Sequence, residues 1–475
     1  MDAAGRTRAR RLLGRFLLAS LAGTLLLAVV DTAAASNAAV SLSNAASGDN
    51  LDVPSWLYVM TGGATIGASA VLASFVTDRG FIERTHGSRV VLPSRATVSR
   101  WTVRTARAFG LVALAYVVWQ GFAGPQVPTV NAAVILVFAG VRAGLTMFAY
   151  LVVDPWPALN PWRTLAERLP SLDRPYPERL GRWPAVVGFL ALIWIETTTA
   201  VNAVPAMLSW ALVGYTVVTL AGTVVFSPAT WFRYADPVAV AFRFYGAVAP
   251  LRRTDDGLSL RLPGFRLPES DLVDGRDDVA FVVALVWELT FTGFVTTTAG
   301  ASVVRWIVGG GVPPLAVYAL LFVGGYAAFL GAYRYAAGRS RRVAETYLPS
   351  RTLLVRFAPP LLAIAAGYHL AHYFTFFLTL TPRLADVLAS PLSPAANPLV
   401  LTVPWWFGAL PITFVLLGHL LSIWLAHTTA YETFPARMQA IRSQFPFVAV
   451  MIGYTVVSLW LLSLPTTAPP FLGGG

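Results

Sequence analysis

The sequence predicts an all-α membrane protein, a polytopic helix bundle of about 10 transmembrane helices behind an N-terminal signal peptide or anchor helix. Three observations carry that expectation. Apolar residues make up 56% of the chain and charged residues 12%, with a mean hydropathy of +0.63, whereas a soluble domain carries about 25% charged residues. Hydrophobic segments recur at close to the length needed to cross a bilayer. Arginine collects in every second connection between them.

Taken in order, Arg6, Arg8, Arg10 and Arg11 precede the apolar run Phe16–Val30, and Ala33-Ala34-Ala35 precedes Ser36. Basic, apolar, then small residues is the order of a signal peptide, and also of an uncleaved anchor; residues 1–35 are assigned to one or the other. Residues 36–475 read as a single transmembrane helical domain. Its spans are expected at 55–77, 103–122, 132–153, 185–206, 207–227, 279–300, 313–337, 354–379, 405–426 and 447–465, each near the ~20 residues a membrane helix needs.

The loops 79–102, 154–184, 228–278, 338–353 and 427–446 are rich in arginine, while 123–131, 301–312 and 380–404 contain only Arg305 and Arg383. That alternation places the first set in the cytoplasm. It also accounts for the net charge of +12 without a nucleic-acid partner. Cysteine is absent, which excludes disulfides, thiolate metal sites and cysteine nucleophiles. There is no Gly-rich phosphate loop, nucleophile elbow or His-Glu-x-x-His helix.

Two of the basic loops look alike. One runs through Asn160, Pro161, Trp162 and Arg163, the other through Asp236 and Pro237. Asn or Asp before Pro starts a helix, because the side chain caps and proline takes the first helical position. Short interfacial helices are therefore expected near 161–169 and 237–249, followed by a polar cytoplasmic insert at 251–278.

Ionisable side chains at membrane depth are costly and mark function. Glu196, Glu288, His369, His372 and His419 all fall within expected spans, and Arg142 is a candidate carboxylate partner. His369 and His372, at i and i+3, share a helix face and with His419 form a candidate metal set; imidazole with carboxylate suits zinc, iron or manganese. The same groups could relay protons, or each histidine could simply bond a neighbouring helix. His427 is expected at the inner surface. Threonines after Glu196 and Glu288 could line a wet path, or bond back to their own helices.

Several strings resemble a family of multi-pass membrane proteins from high-GC bacteria and halophilic archaea whose members often carry the label "fenitrothion hydrolase". They are Asp52-Val53-Pro54-Ser55-Trp56-Leu57, Asn160-Pro161-Trp162-Arg163, Tyr176 to Pro184, Ala235-Asp236-Pro237, Ala371-His372-Tyr373-Phe374, Gly418-His419, Ala426-His427 and Arg442-Ser443-Gln444. Where that family has Phe-Asp-Gly-Phe, this chain has Phe291-Thr292-Gly293-Phe294; Glu288, one turn earlier, is the candidate replacement carboxylate. The resemblance implies a hydrolase. Three functions are thus in view: a proton- or metal-coupled carrier of a small solute or cation, a membrane-embedded metal-dependent hydrolase, and a haem-binding membrane subunit.

Overall fold

The computed structural model describes residues 55–92, 100–254, 257–269, 271–390 and 403–472, together with Ser393, Ala395 and Leu401. The signal or anchor segment 1–35 and Asp52-Val53-Pro54 lie outside the described residues. The described part is a helical bundle. In chain order it contains α1 (Ser55–Phe75), α2 (Arg79–His86), β1 (Val90–Leu92), α3 (Arg100–Ala123) and α4 (132–151), whose middle, Leu136–Leu145, is π-helical. Next come the short α5 (Trp156–Leu159) and α6 (Pro161–Ala166), then α7 (Trp183–Thr198), α8 (Pro205–Phe226), α9 (Pro228–Tyr234) and α10 (Pro237–Gly246). Strands β2 (Leu251–Thr254) and β3 (Gly257–Leu260) follow. The chain closes with α11 (Arg276–Val295), α12 (Thr298–Gly309), α13 (Pro314–Val343), α14 (Ser350–Arg356), α15 (Leu361–Ala389), α16 (Leu410–Thr433) and α17 (Arg437–Leu462).

Among the described residues, eight helical stretches are long and apolar enough to cross a membrane: α3, α4, α8, α11, α13, α14 with α15, α16 and α17. The pair α1 and α2 passes the same test only together, across a bend of 119°. The apolar α7 is short, at 16 residues. Large apolar side chains point outward along several of these helices, including Val112 at 68%, Val217 at 61% and Leu320 at 64% exposure. Apolar side chains exposed along long apolar helices are consistent with a membrane protein.

The helix at the centre is α11. Every side chain from Val279 to Val286 is fully buried, and the helix packs against α7, α12, α13, α14, α15 and α17. A helix apolar on all sides belongs inside a bundle, and this one carries Glu288 to its core. Helices α15 and α16 approach most closely at Gly367 and Gly418, where a Cβ on either residue would lie within 2.8 Å of the other helix's backbone (2.6 Å from the Phe414 oxygen and 2.7 Å from the Ala363 oxygen). Small residues permit that approach, and the approach buries the adjoining His419.

Both Asn/Asp-Pro starts form as expected. The Asn160 side chain accepts from the Arg163 N–H at 3.0 Å and Asp236 from the Ala239 N–H at 2.7 Å, with Pro161 and Pro237 in the first turn. Their helices join one aromatic layer. The Trp162 indole N–H donates to Thr216 at 2.8 Å, its ring meets Tyr215 edge-on at 4.8 Å, and the Tyr215 hydroxyl donates to Asp236 at 2.6 Å. Trp156 stacks on Phe242 at 4.5 Å. Arg163 reaches Glu167 at 3.1 Å, and Arg107 pairs with the same carboxylate. The layer is therefore a platform, and α10 is more deeply set than a surface helix: Val240 and Phe244 are fully buried.

Several expected boundaries are corrected. The stretch 427–446, read as a loop, is helical except around Phe434 to Ala436, and α17 begins ten residues before the expected 447 and passes through Pro446. Arginine at helix ends keeps its charged head in water while its stem lies along the helix, so charge appears before the helix ends. The span 185–206 stops at Thr198, 279–300 divides into α11 and α12, and 354–379 becomes α14 and a longer α15. The insert 251–278 is not all loop: β1, β3 and β2 form a three-stranded antiparallel sheet with Val90 opposite Leu260 and Arg253 opposite Leu258.

Candidate functional site

One guanidinium gathers the membrane charges. Arg142, in the π-helical part of α4, places its Nε 3.1 Å from the Glu196 carboxylate of α7 and donates from the same nitrogen to the Tyr373 hydroxyl of α15 at 2.8 Å. Its other terminal arm bonds the Glu288 carboxylate of α11. Four helices thus meet on one side chain, and at 1.5 Å per residue Glu288 lies about 18 Å along α11 from its first residue. The site has an open edge. Side-chain exposure is 3% at Glu288, 14% at Glu196 and 21% at Arg142, so the open edge lies at Arg142 and Glu196 while Glu288 is enclosed.

The local backbone explains part of the arrangement. π-Helical turns are rare and concentrate at functional positions. Here the Arg142 residue is used twice, since its carbonyl also accepts from His369 Nε2 at 3.0 Å. A carbonyl only accepts, so His369 carries its proton on Nε2. Its Nδ1 then accepts from the Tyr150 hydroxyl, 3.2 Å away. Tyr245, on α10, packs edge-on against the His369 ring at 5.5 Å and tilted against Tyr150 at 5.7 Å. The Tyr245 hydroxyl is buried without a hydrogen-bond partner.

The expected histidine metal set is not assembled. Both nitrogens of His369 are committed, His372 Nδ1 faces its own helix at the Tyr368 carbonyl (3.3 Å), and His419 Nδ1 does the same at Val415 (2.8 Å). Among the described residues, no three His, Cys, Asp or Glu side chains converge as metal ligands. The donor set therefore does not fit a tetrahedral zinc or a comparable iron site, which needs three or four donors near 2 Å from one ion.

Other singled-out residues have structural partners. His427, expected near the inner surface of the membrane, is fully buried among helices: its Nε2 donates to the Val76 carbonyl at 2.8 Å, and its Nδ1 accepts from the Gln444 amide at 3.1 Å. Two strings of the family resemblance, Ala426-His427 and Arg442-Ser443-Gln444, thus meet to tie α16, α17 and the end of α1 together. In the segment from Tyr176 to Pro184, the Arg182 guanidinium bonds buried Asp278 and lies over the Tyr234 ring. Gly293 stands where a Cβ would come within 3.1 Å of His372 Nε2, so glycine there leaves room for the imidazole. Most of the threonines bond back to their own helices, as with Thr198 to Trp194 (2.7 Å) and Thr292 to Glu288 (2.8 Å).

Sequence reading did not select the three tyrosines of the site. Tyr373 adjoins His372, and Tyr150 follows Arg142 by two turns on one helix, so both stood where a search around the charges could find them. Tyr245 had no such signal, because α10 is distant in sequence from every charged member. Just beyond α4, Asp154 caps the Trp156 N–H at 3.0 Å and packs against Gly246, the neighbour of Tyr245. Burial without a basic partner pushes its carboxyl up to about 6.

No protein-family model matches the chain, and neither does any curated protein or solved structure.

Proposed function

We propose that the protein is a membrane carrier for a small cation or solute, coupled to protons through the Arg142–Glu196–Glu288 centre. The observation that carries this reading is one guanidinium shared by carboxylates from two different helices. With both carboxylates ionised the centre holds one negative charge in excess, and a low-dielectric interior makes that charge costly. A proton or a bound cation offsets it, and the two compete for the same place. That competition is the elementary requirement for exchange. Because the carboxylates belong to α7 and α11, occupancy also changes what holds these helices to α4. Midplane ionisable groups shared among helices are the arrangement carriers use.

By the positive-inside rule, the side that carries the arginine-rich loops is the one assigned to the cytoplasm in this reading. The hydrolase reading rests on the family resemblance alone and needs a metal to activate water, for which this donor set is unsuited. The carrier reading is tested by flux. In proteoliposomes with a pH-sensitive dye inside, imposed gradients of Na+, K+ or Mg2+ are expected to move protons faster than in protein-free liposomes. Glu288→Gln is expected to lower that rate at least about tenfold, since the amide cannot exchange a proton at neutral pH. Unchanged proton movement in the variant, or none in the native protein with any of the three cations, would count against the reading.

A further inference from the structure

Away from the centre, at the end where α7, α11 and α14 begin, an open cavity of about 420 Å³ is lined by Arg179, Arg276, Arg351, Trp183, Glu178 and Asp277. The three guanidiniums come from three separate segments: the turn before α7, the first residue of α11 and the second residue of α14. Some loop arginines have carboxylate partners, as in Arg107–Glu167 and Arg261–Glu269. Among the described residues these three have none. Of the two acids in the wall, Asp277 is already held by the Arg182 N–H at 2.5 Å and packs over Gly181. Three arginines against Glu178 and Asp277 leave the lining with one positive charge in excess, supplied by three separate segments around a space that an anion would fill.

The apolar wall decides which anion. Trp183 is the first residue of α7 and is 37% exposed, and Val187, one turn further on the same face, is 48% exposed. A tryptophan at a helix end marks headgroup depth, and the two side chains continue the cavity into an apolar track along α7. We propose that this cavity binds the phosphate of an anionic glycerophospholipid from the leaflet facing the basic loops. Arg179, Arg276 and Arg351 clasp the phosphodiester through charge-assisted hydrogen bonds, and one acyl chain lies along Trp183 and Val187. A free phosphate ion shares the first half of that chemistry and not the second. The site does not depend on the carrier reading.

The test uses purified full-length protein in neutral detergent, titrated separately with phosphatidylglycerol, phosphatidylcholine and inorganic phosphate while the thermal midpoint is followed. Phosphatidylglycerol is expected to raise the midpoint of the native protein. In the triple variant R179Q/R276Q/R351Q, half-maximal effect should need about tenfold more lipid, the loss expected from removing charge-assisted phosphate contacts. A control variant, R252Q/R253Q, removes two exposed arginines from β2 on the same end and should behave like the native protein. An equal response in the triple variant would overturn the site, and so would an equal loss in the control. A midpoint rise with phosphate matching that with phosphatidylglycerol would replace the lipid by a soluble anion. Native mass spectrometry gives a reading that needs no variant: one retained phosphatidylglycerol is expected, and a lipid-free native protein would overturn the proposal.

Discussion

Replacing Arg142 by methionine is expected to abolish cation-driven proton movement and to destabilise the protein by about 3–5 kcal/mol, the cost of breaking a buried ion pair from one side. Among the described residues, the guanidinium is the only group bonded to both Glu196 and Glu288, and its Nε also holds Tyr373. Methionine fills a similar volume and strands two carboxylates in the interior. Much of that cost is the stranded charge itself, so R142M/E288Q is expected to be more stable than R142M alone, a non-additivity that a double-mutant cycle measures directly. Arg142→Lys should recover part of the stability and little flux, because a single ammonium cannot span both acids and the tyrosine as a planar fork does. Thermal midpoints in one detergent of the native protein and of R142M, E288Q, R142M/E288Q and R142K provide the check.

The second large effect is expected far from that centre. Arg182 and Asp278 are 3% and 1% exposed and bond each other where α7 and α11 begin. The Arg182 Nε–H also donates to the Arg233 carbonyl at 3.2 Å, and its guanidinium lies 5.4 Å from the centre of the Tyr234 ring. Arg182→Met should therefore cost about 3–5 kcal/mol, seen as a large drop in thermal midpoint and in yield. Unlike Arg142→Met, it should leave flux per folded molecule close to native. A variant that folds normally, or one whose surviving molecules are inactive, would show that Arg182 has another role.

Of these two groups, the Arg142 centre was legible in the sequence and the Arg182–Asp278 pair was not, because its members carry no signal of burial in loop-like surroundings. The helical class, the hydrophobic spans and the caps at Asn160 and Asp236 could be read from local chemistry, because each depends on residues near one another in the chain. Glu196, Glu288 and Arg142 were also visible, since a charge inside an apolar run has no local explanation. The histidines misled. An imidazole donates to a carbonyl as readily as it binds a metal, and only the fold shows that His369 faces the Arg142 carbonyl, His419 its own helix and His427 Gln444. Span ends blurred where arginine stems extend helices such as α13 and α17 past their apolar cores. Tyr245 was hidden because its helix enters the bundle from a loop whose depth is set by Trp156, Trp162 and Tyr215 and not by its own periodicity.

The central claim is that Glu196 and Glu288 together hold one exchangeable proton that a cation displaces. Infrared difference spectroscopy of the protein in lipid, recorded on adding the transported cation in H2O and in D2O, observes that proton directly. The account predicts a protonated-carboxyl band that shifts in D2O, disappears when the cation binds, and is absent from Glu288→Gln. A spectrum in which no carboxyl changes its protonation on cation binding, or in which the same band persists in both Glu288→Gln and Glu196→Gln, would contradict it.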